Sequence, residues 1–301
     1  MSNLSLPIVF IHKGNSWYLP YTLWQAHQTN PQQPIYFIGD ASTKHFPRWV
    51  RHVEISKYAS STSRFDAVYK HKSQLGAEFE QTCIQRWFIL DAFMDDHGFD
   101  RCVYLDSDIL VYEDLAMVYQ KLPEHQMTWC GFSAHSNFIS SHSALKLYCQ
   151  NVIDLYTGCF PAEYIEQSLF HRVMAKKVNG NISDMTFFYD FNLRYPGALL
   201  LVSDPNPEGT FDVSMEETRV FENNGSSFKK IYWKGKQPWG KVTKTGVMVP
   251  FVTLHFQGKG KQILKKHFNT GGGSFYCMYL ENASWIFILK VTKRLFKYIR
   301  G

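Results

Sequence analysis

The sequence predicts an α/β fold built on a mostly parallel sheet. Two observations carry that expectation. Short apolar runs bounded by turn residues alternate with stretches of helical spacing through the first half of the chain. The chain also has 301 residues, 45% of them apolar, enough to bury one large core or two modest ones. With no internal repeat and no low-complexity linker, the simplest organisation is one domain over residues 1–282 with a C-terminal appendage over 283–301.

"LPIVFIHKG" (Leu6–Gly14) reads as a buried strand closing on Gly14. Trp17, Leu23, Trp24 and His27 follow at helical spacing and stop before Pro31. "PIYFIGD" (Pro34–Asp40) is a second strand and "VRHVEIS" (Val50–Ser56) a third. A helix over Glu78–His97 follows from Phe79, Cys83, Trp87, Leu90 and Met94 recurring at threes and fours, with Gly98 to end it. Next comes "RCVYLDSDILVYEDL" (Arg101–Leu115), an apolar run interrupted by two aspartates, with Asp114 opening a short helix. "MTWCGFSAH" is another strand, and helical patterns return over Ser141–Tyr156 and Tyr164–Lys177. Residues 203–245, rich in Pro, Gly, Asn and Lys, read as irregular hairpins and loops, and "VMVPFVTLHFQGKGK" (Val247–Lys261) as a last strand running to His255. The lysines of "KKIYWKGKQPWGK" either line a site or solvate a hairpin, the second being preferred.

The formal charge of +6 is concentrated: Lys290, Lys293, Arg294, Lys297 and Arg300 lie in the last eighteen residues, with no acid after Glu281. The rest is close to neutral, which argues against a nucleic-acid partner. Six cysteines without C-x-x-C or zinc-like spacing read as reduced core thiols. The first residues lack a basic segment and a cleavage site, and no apolar run approaches the ~20 residues of a membrane span. The expected location is cytoplasmic.

Asp106 and Asp108 stand at the carboxyl end of "CVYL", where open α/β sheets bind ligands. In an extended strand their side chains would share one side. Two close carboxylates destabilise each other unless one takes a proton or a divalent cation neutralises both, and oxygen ligands suit Mg²⁺ or Mn²⁺. A polar strand end is the plain alternative. A phosphatase of the haloacid-dehalogenase type is another, but it wants Thr or Val two residues after the second Asp, where this chain has Leu110, and a position near the chain start.

"QRWFILDAFMDDHGFDRCVYLDSDILVYEDL" resembles the central block of GT-A-fold glycosyltransferases, closest to the family 8 retaining enzymes (glycogenin and bacterial galactosyl- and glucosyltransferases). Members carry an Arg before the strand, "YLD-x-D", and a further Asp at the next helix; here stand Arg86, Asp106-Ser107-Asp108 and Asp114. Their H-x-x-G-x-x-K is matched about 150 residues later by His255, Gly258 and Lys261. The likeness spans roughly residues 6–265 and is thin between the motifs.

The resemblance implies a GT-A sheet and transfer of a sugar from a nucleotide diphosphate donor, UDP-linked, to a hydroxyl of a glycan or lipid-linked glycan. It assigns Mn²⁺ (or Mg²⁺) to Asp106, Asp108 and His255, consistent with imidazole as a third ligand. Lys261 would contact the diphosphate as a point charge, with Gly258 allowing close backbone approach. By position, His12, Lys13, Asp40, Arg86, Ser107 and Asn137 fall on the donor side, although Phe138 and Ile139 replace the small residues expected after Asn137. The family carboxylate facing the reacting carbon, often in Asp-Gln, has two candidates: Asp184, preferred, and Gln167 of Glu166-Gln167. Neither repeats Asp-Gln, and Asp184 is equally a good helix N-cap.

On a helical wheel the five basic tail residues fall within about a third of the circle, opposite Trp285, Ile288, Leu289, Leu295, Phe296 and Ile299. That composition suits either a helix lying on anionic lipid or one packed on the body with a solvated basic face. Membrane association fits a lipid-linked acceptor, as in lipopolysaccharide or capsule assembly. The rival to an enzyme is a non-catalytic sugar-binding or membrane-scaffold protein on a transferase-like fold.

Overall fold

The structure, a computed structural model, describes residues 5–131, 133–269 and 272–300, with the backbone alone for Leu289 and residues 293–300. In chain order the elements begin β1 (Ile8–His12), α1 (Leu19–Thr29), β2 (Ile35–Gly39), β3 (Val50–Glu54), α2 (Ser63–Asp66), α3 (Ala77–His97), β4 (Cys102–Leu105) and β5 (Ile109–Val111). Then come α4 (Leu115–Lys121), β6 (Met127–Trp129), β7 (Ser136–Ile139), α5 (His142–Thr157), α6 (Ala162–Gln167), α7 (Leu169–Met174) and α8 (Asp184–Arg194). The last third holds β8 (Leu199–Leu201), β9 (Thr210–Phe211), β10 (Tyr232–Lys234), β11 (Gln237–Lys241), β12 (Met248–His255), α9 (Leu264–His267) and α10 (Gly273–Arg300). The fold is mixed α/β, with a seven-stranded sheet of order β3-β2-β1-β4-β7-β6-β8 and a second sheet of order β10-β11-β12-β5, on which β9 pairs with β12.

The chain forms two compact units. In the first (1–54, 105–120, 203–301), β1, β2 and β3 pair in parallel, Ile8 against Ile35 and Ile35 against Val50. Ile8, Val9, Phe10, Phe37 and Ile38 are fully buried there, as continuous apolar runs in parallel sheets require. Helix α1 is tied to β5 by Gln25, whose Nε2 donates to Val111 O at 2.9 Å. Helix α10 is held at its start: Phe275, Met278 and Asn282 are buried, and Asn282 Nδ2 donates to Ser16 O at 3.2 Å. It runs unbroken across residue 283.

In the second unit (55–104, 121–202), α3, α5 and α8 enclose an aromatic core. Tyr148 stacks on Phe188 with centroids 4.2 Å apart, and Trp87 meets Phe188 edge-on at 4.9 Å. Each such pair adds about 1 kcal/mol beyond the area it buries. Strand β6 pairs with β8 in parallel and with β7 antiparallel.

Several boundaries differ from expectation. The run Arg101–Leu115 is two strands in different sheets, with the aspartates in the turn between them, so the alternation argument for their sides does not apply. "MTWCGFSAH" ends as a strand at Trp129, because Gly131 turns the chain at φ 64°. The helix over 164–177 breaks at Ser168, whose extended backbone (ψ 123°) starts α7 while its side chain accepts from His171 N. On α3, Phe79 is exposed while Glu80 is buried, since Ser73 Oγ donates to the Glu80 carboxylate at 2.9 Å. Residues 203–245 contain ordered structure: β9 and the β10–β11 hairpin. Of the cysteines, Cys102, Cys130 and Cys149 are buried thiols, whereas Cys159 and Cys277 are exposed.

Candidate metal centre

Antiparallel pairing of β12 with β5 sets His255 opposite Ile109, one residue past Asp108. Phe256 N donates to Asp108 O at 3.0 Å, extending the ladder into the turn. The ring of His255 thereby arrives beside the carboxylates. One ligand atom each from Asp106, Asp108 and His255 lies within 4.8 Å of the others. Asp108 Oδ1 is 3.5 Å from His255 Nε2, and Asp108 Oδ2 accepts from Lys261 Nζ at 2.5 Å.

Burial alone would push the Asp108 carboxyl up, but hydrogen bonding and charge from His255 and then Lys261 hold it well below the usual carboxylate range. Burial acts against the charged His255 ring, yet Asp108, Asp106 and the Val213 carbonyl raise its pKa. Lys261 is likewise raised, its desolvation outweighed by Asp108. The turn is therefore strongly anionic, and its charge is balanced by protein cations.

The donor set fits a divalent ion: two carboxylates and one imidazole, the latter with a defined outer partner. His255 Nδ1 lies 2.8 Å from the carbonyl of Val213, which can only accept, so Nδ1 carries a proton, and Nε2, facing Asp108, is the nitrogen that would bind an ion once its own proton is lost.

Other predicted residues of the first unit gather round the turn. Ser107 Oγ lies 2.9 Å from His12 Nδ1, and His12 Nε2 lies 3.1 Å from Ser16 Oγ. Burial lowers the pKa of His12 to about 4 against the pull of Asp108 and Asp40, which keeps the ring neutral. Asp40 caps the short turn Ala41–Thr43 and accepts from Gly14 N at 2.6 Å, so it braces the loop after β1. Lys13 is exposed on that loop. Gly258 opens the turn Gly258–Ile263 at φ 54°, a region costly for residues with a Cβ, and a Cβ there would meet Glu216 Oε1 at 3.0 Å. Lys261 also sits over the Tyr18 ring, 5.3 Å from its centroid.

The second unit carries the other candidates. Arg86 on α3 donates from an Nη to Asp184 Oδ2 at 2.5 Å, and both side chains are largely buried. The guanidinium lies 5.3 Å from the Trp87 ring and 5.4 Å from the Tyr104 ring. Arg86 thus does not sit on a solvated face. Asp184 is the first residue of α8 and not its cap: Ser183 takes the cap position, its backbone N donating to Thr186 Oγ1 at 3.2 Å. That leaves the carboxylate of Asp184 for Arg86. Asn137 is buried on β7, its Oδ1 accepting from Thr128 N at 3.1 Å, which makes it a staple of the β6–β7 hairpin. Gln167 is exposed at the last position of α6.

Two residues escaped sequence reading. Lys229, read within a solvated hairpin, is buried, and so is Asp212, to which its Nζ donates at 2.5 Å. The only signal was an aspartate between Phe211 and Val213 in an apolar "TFDV".

No family model and no curated protein matches the sequence. Among solved structures, mouse xyloside xylosyltransferase 1 in its apo form is similar with a TM-score of 0.48 at 9% identity, over 66% of this chain and 86% of that one. A galactosyltransferase, LgtC, in complex with donor and acceptor sugar analogues gives 0.43 at 12%, over 91% and 100%. The glycosyltransferase GlyE of Streptococcus pneumoniae TIGR4 gives 0.36 at 15%, over 67% and 46%. Similarity at this distance identifies no chemistry.

Proposed function

We propose that this chain is a GT-A glycosyltransferase of the family 8 type, moving a sugar from a nucleotide diphosphate donor, UDP-linked, to a hydroxyl of a glycan or lipid-linked glycan. One observation carries the reading: Asp106, Asp108 and His255 converge from distant parts of the sequence, with Lys261 on the same carboxylate. A cluster of that composition fits Mn²⁺ or Mg²⁺, which when bound would neutralise a departing diphosphate. Asp106, Asp108 and His255 would hold the ion. Lys261, released from Asp108, supplies a positive charge for the diphosphate oxygens, where most negative charge develops. Neutral His12 and the Asp40-braced loop after β1, which carries Lys13, shape the same neighbourhood.

For the reacting carbon, Asp184 is favoured over Gln167, because Arg86 fixes its carboxylate whereas Gln167 is exposed at a helix end. A retaining outcome belongs to this reading. Peripheral association with anionic membrane does as well: on α10, Phe287 and Ile288 are exposed, 69% and 49%, beside exposed Lys290. The remaining basic residues of the tail, Lys293, Arg294, Lys297 and Arg300, have side chains outside the described residues. Among the described residues no helix is long and apolar enough to cross a membrane.

The test is a panel of nucleotide sugars assayed for slow hydrolysis with and without Mn²⁺. Turnover of one donor that requires the ion is expected, and Asp108→Asn should reduce it by roughly 100-fold or more. Near-normal turnover by that variant would sink the metal reading, and phosphate release without nucleotide dependence would point to a phosphatase.

A further inference from the structure

The buried pair Asp212–Lys229 lies outside the ligand cluster but grips its histidine. Residues 212–215 hold His255 at three points: Asp212 Oδ2 accepts from His255 N at 3.0 Å, Val213 O accepts from Nδ1 at 2.8 Å, and Met215 N donates to His255 O at 2.9 Å. Lys229 is bonded to three of the same four residues. Its Nζ donates to Asp212 Oδ1 and to Ser214 O, and its backbone N donates to Met215 O at 2.9 Å. The two side chains are 2% and 0% exposed, so neither charge is solvated and each depends on the other.

We infer that Lys229 and Asp212 are positioning residues, which fix the tautomer and aim of His255 so that Nε2 is presented to a divalent cation. The physical step is short. A carbonyl accepts only, so the Val213 contact requires the proton on Nδ1. That carbonyl keeps its place because Asp212 and Ser214, on either side, are both bonded to one ammonium. Take the ammonium away and Asp212 Oδ1 and Ser214 O lose their shared donor, which lets the segment move and frees the ring to rotate. Outer partners of ligating histidines are typically worth about 10–100-fold in metal affinity. The inference rests on the reading that Asp106, Asp108 and His255 bind a cation.

Lys229→Met, Asp212→Asn and the double variant, which removes both charges, are compared with the native chain. Two readouts avoid turnover. The first is Mn²⁺ affinity by calorimetry with the metal alone. The second is the ¹⁵N resonance pattern of histidine-labelled, metal-free protein at a pH high enough to leave the His255 ring neutral, which reports its tautomer. Folded single variants should bind Mn²⁺ about 10–100-fold more weakly and lose the pure Nδ1-protonated pattern. Folded variants that bind within about twofold of native and keep that pattern would overturn the inference, since the pair would then serve stability alone. Loss of folding in all three would overturn it too, by assigning the pair to the fold. A native chain that binds no Mn²⁺ fails the metal reading instead, while the tautomer pattern still judges the positioning of His255.

Discussion

Asp108 and Asp184 are both nearly buried carboxylates, each held by one long cation, and the two pairs are built differently. Arg86 is 15% exposed, donates to Asp184 and lies beside two aromatic rings. Lys261 is 30% exposed and reaches Asp108 as a single point charge on a flexible stem. The first pair suits a fixed arrangement, because a guanidinium beside rings has little freedom to leave. The second suits an arrangement that changes, because Asp108 also faces His255 and Asp106 and a divalent ion would compete for the same carboxylate. One pair fixes a carboxylate; the other leaves one beside a mobile cation.

The largest effect that would break this comparison is on stability. Arg86→Ala strands a buried carboxylate and should cost about 3–5 kcal/mol in chemical denaturation, with no recovery on adding Mn²⁺. A loss well under 1 kcal/mol would show that Arg86 is no clamp.

Lys261→Ala should behave in the opposite sense toward the ion. With its competitor gone, Asp108 should bind Mn²⁺ several-fold more tightly by calorimetry, while sugar transfer falls because the diphosphate loses a charge. Weaker binding in that variant would mean that Lys261 supports the ion site and does not stand in for the cation.

The smallest structural effect concerns a third kind of cation, the basic residues of the C-terminal tail. Removing residues 284–301 takes away the Trp285 stack on His45 but leaves Phe275, Met278 and Asn282 in place, so the protein should stay folded with a small fall in thermal midpoint. Binding to anionic liposomes should disappear; unchanged binding would assign the helix to the body alone.

The strands β1, β2 and β3 and the helix α3 were legible because their apolar spacing is local and matches one period each. The break between β4 and β5 was not, since "CVYL" and "ILV" are equally apolar and nothing in that spacing says that the chain changes sheets. Ser183 and Asp184 are both good caps, and only the partner on α3 shows which residue takes the helix end and which takes Arg86. Lys229 was misread for a related reason: a lysine among lysines and aromatics looks solvated until a buried aspartate is found opposite it.

The sequence by itself determined the residue types of the candidate cation cluster and the two motifs that contain them, because D-x-D and H-x-x-G-x-x-K are contiguous. Tertiary structure decided that the motifs meet. Pairing of β12 with β5 carries His255 across about 150 residues to Asp108, and the buried pair Asp212–Lys229 braces the segment that holds its ring. Such contacts depend on which strands share a sheet and which charges share a dry interior. Neither is written in the spacing of any one segment.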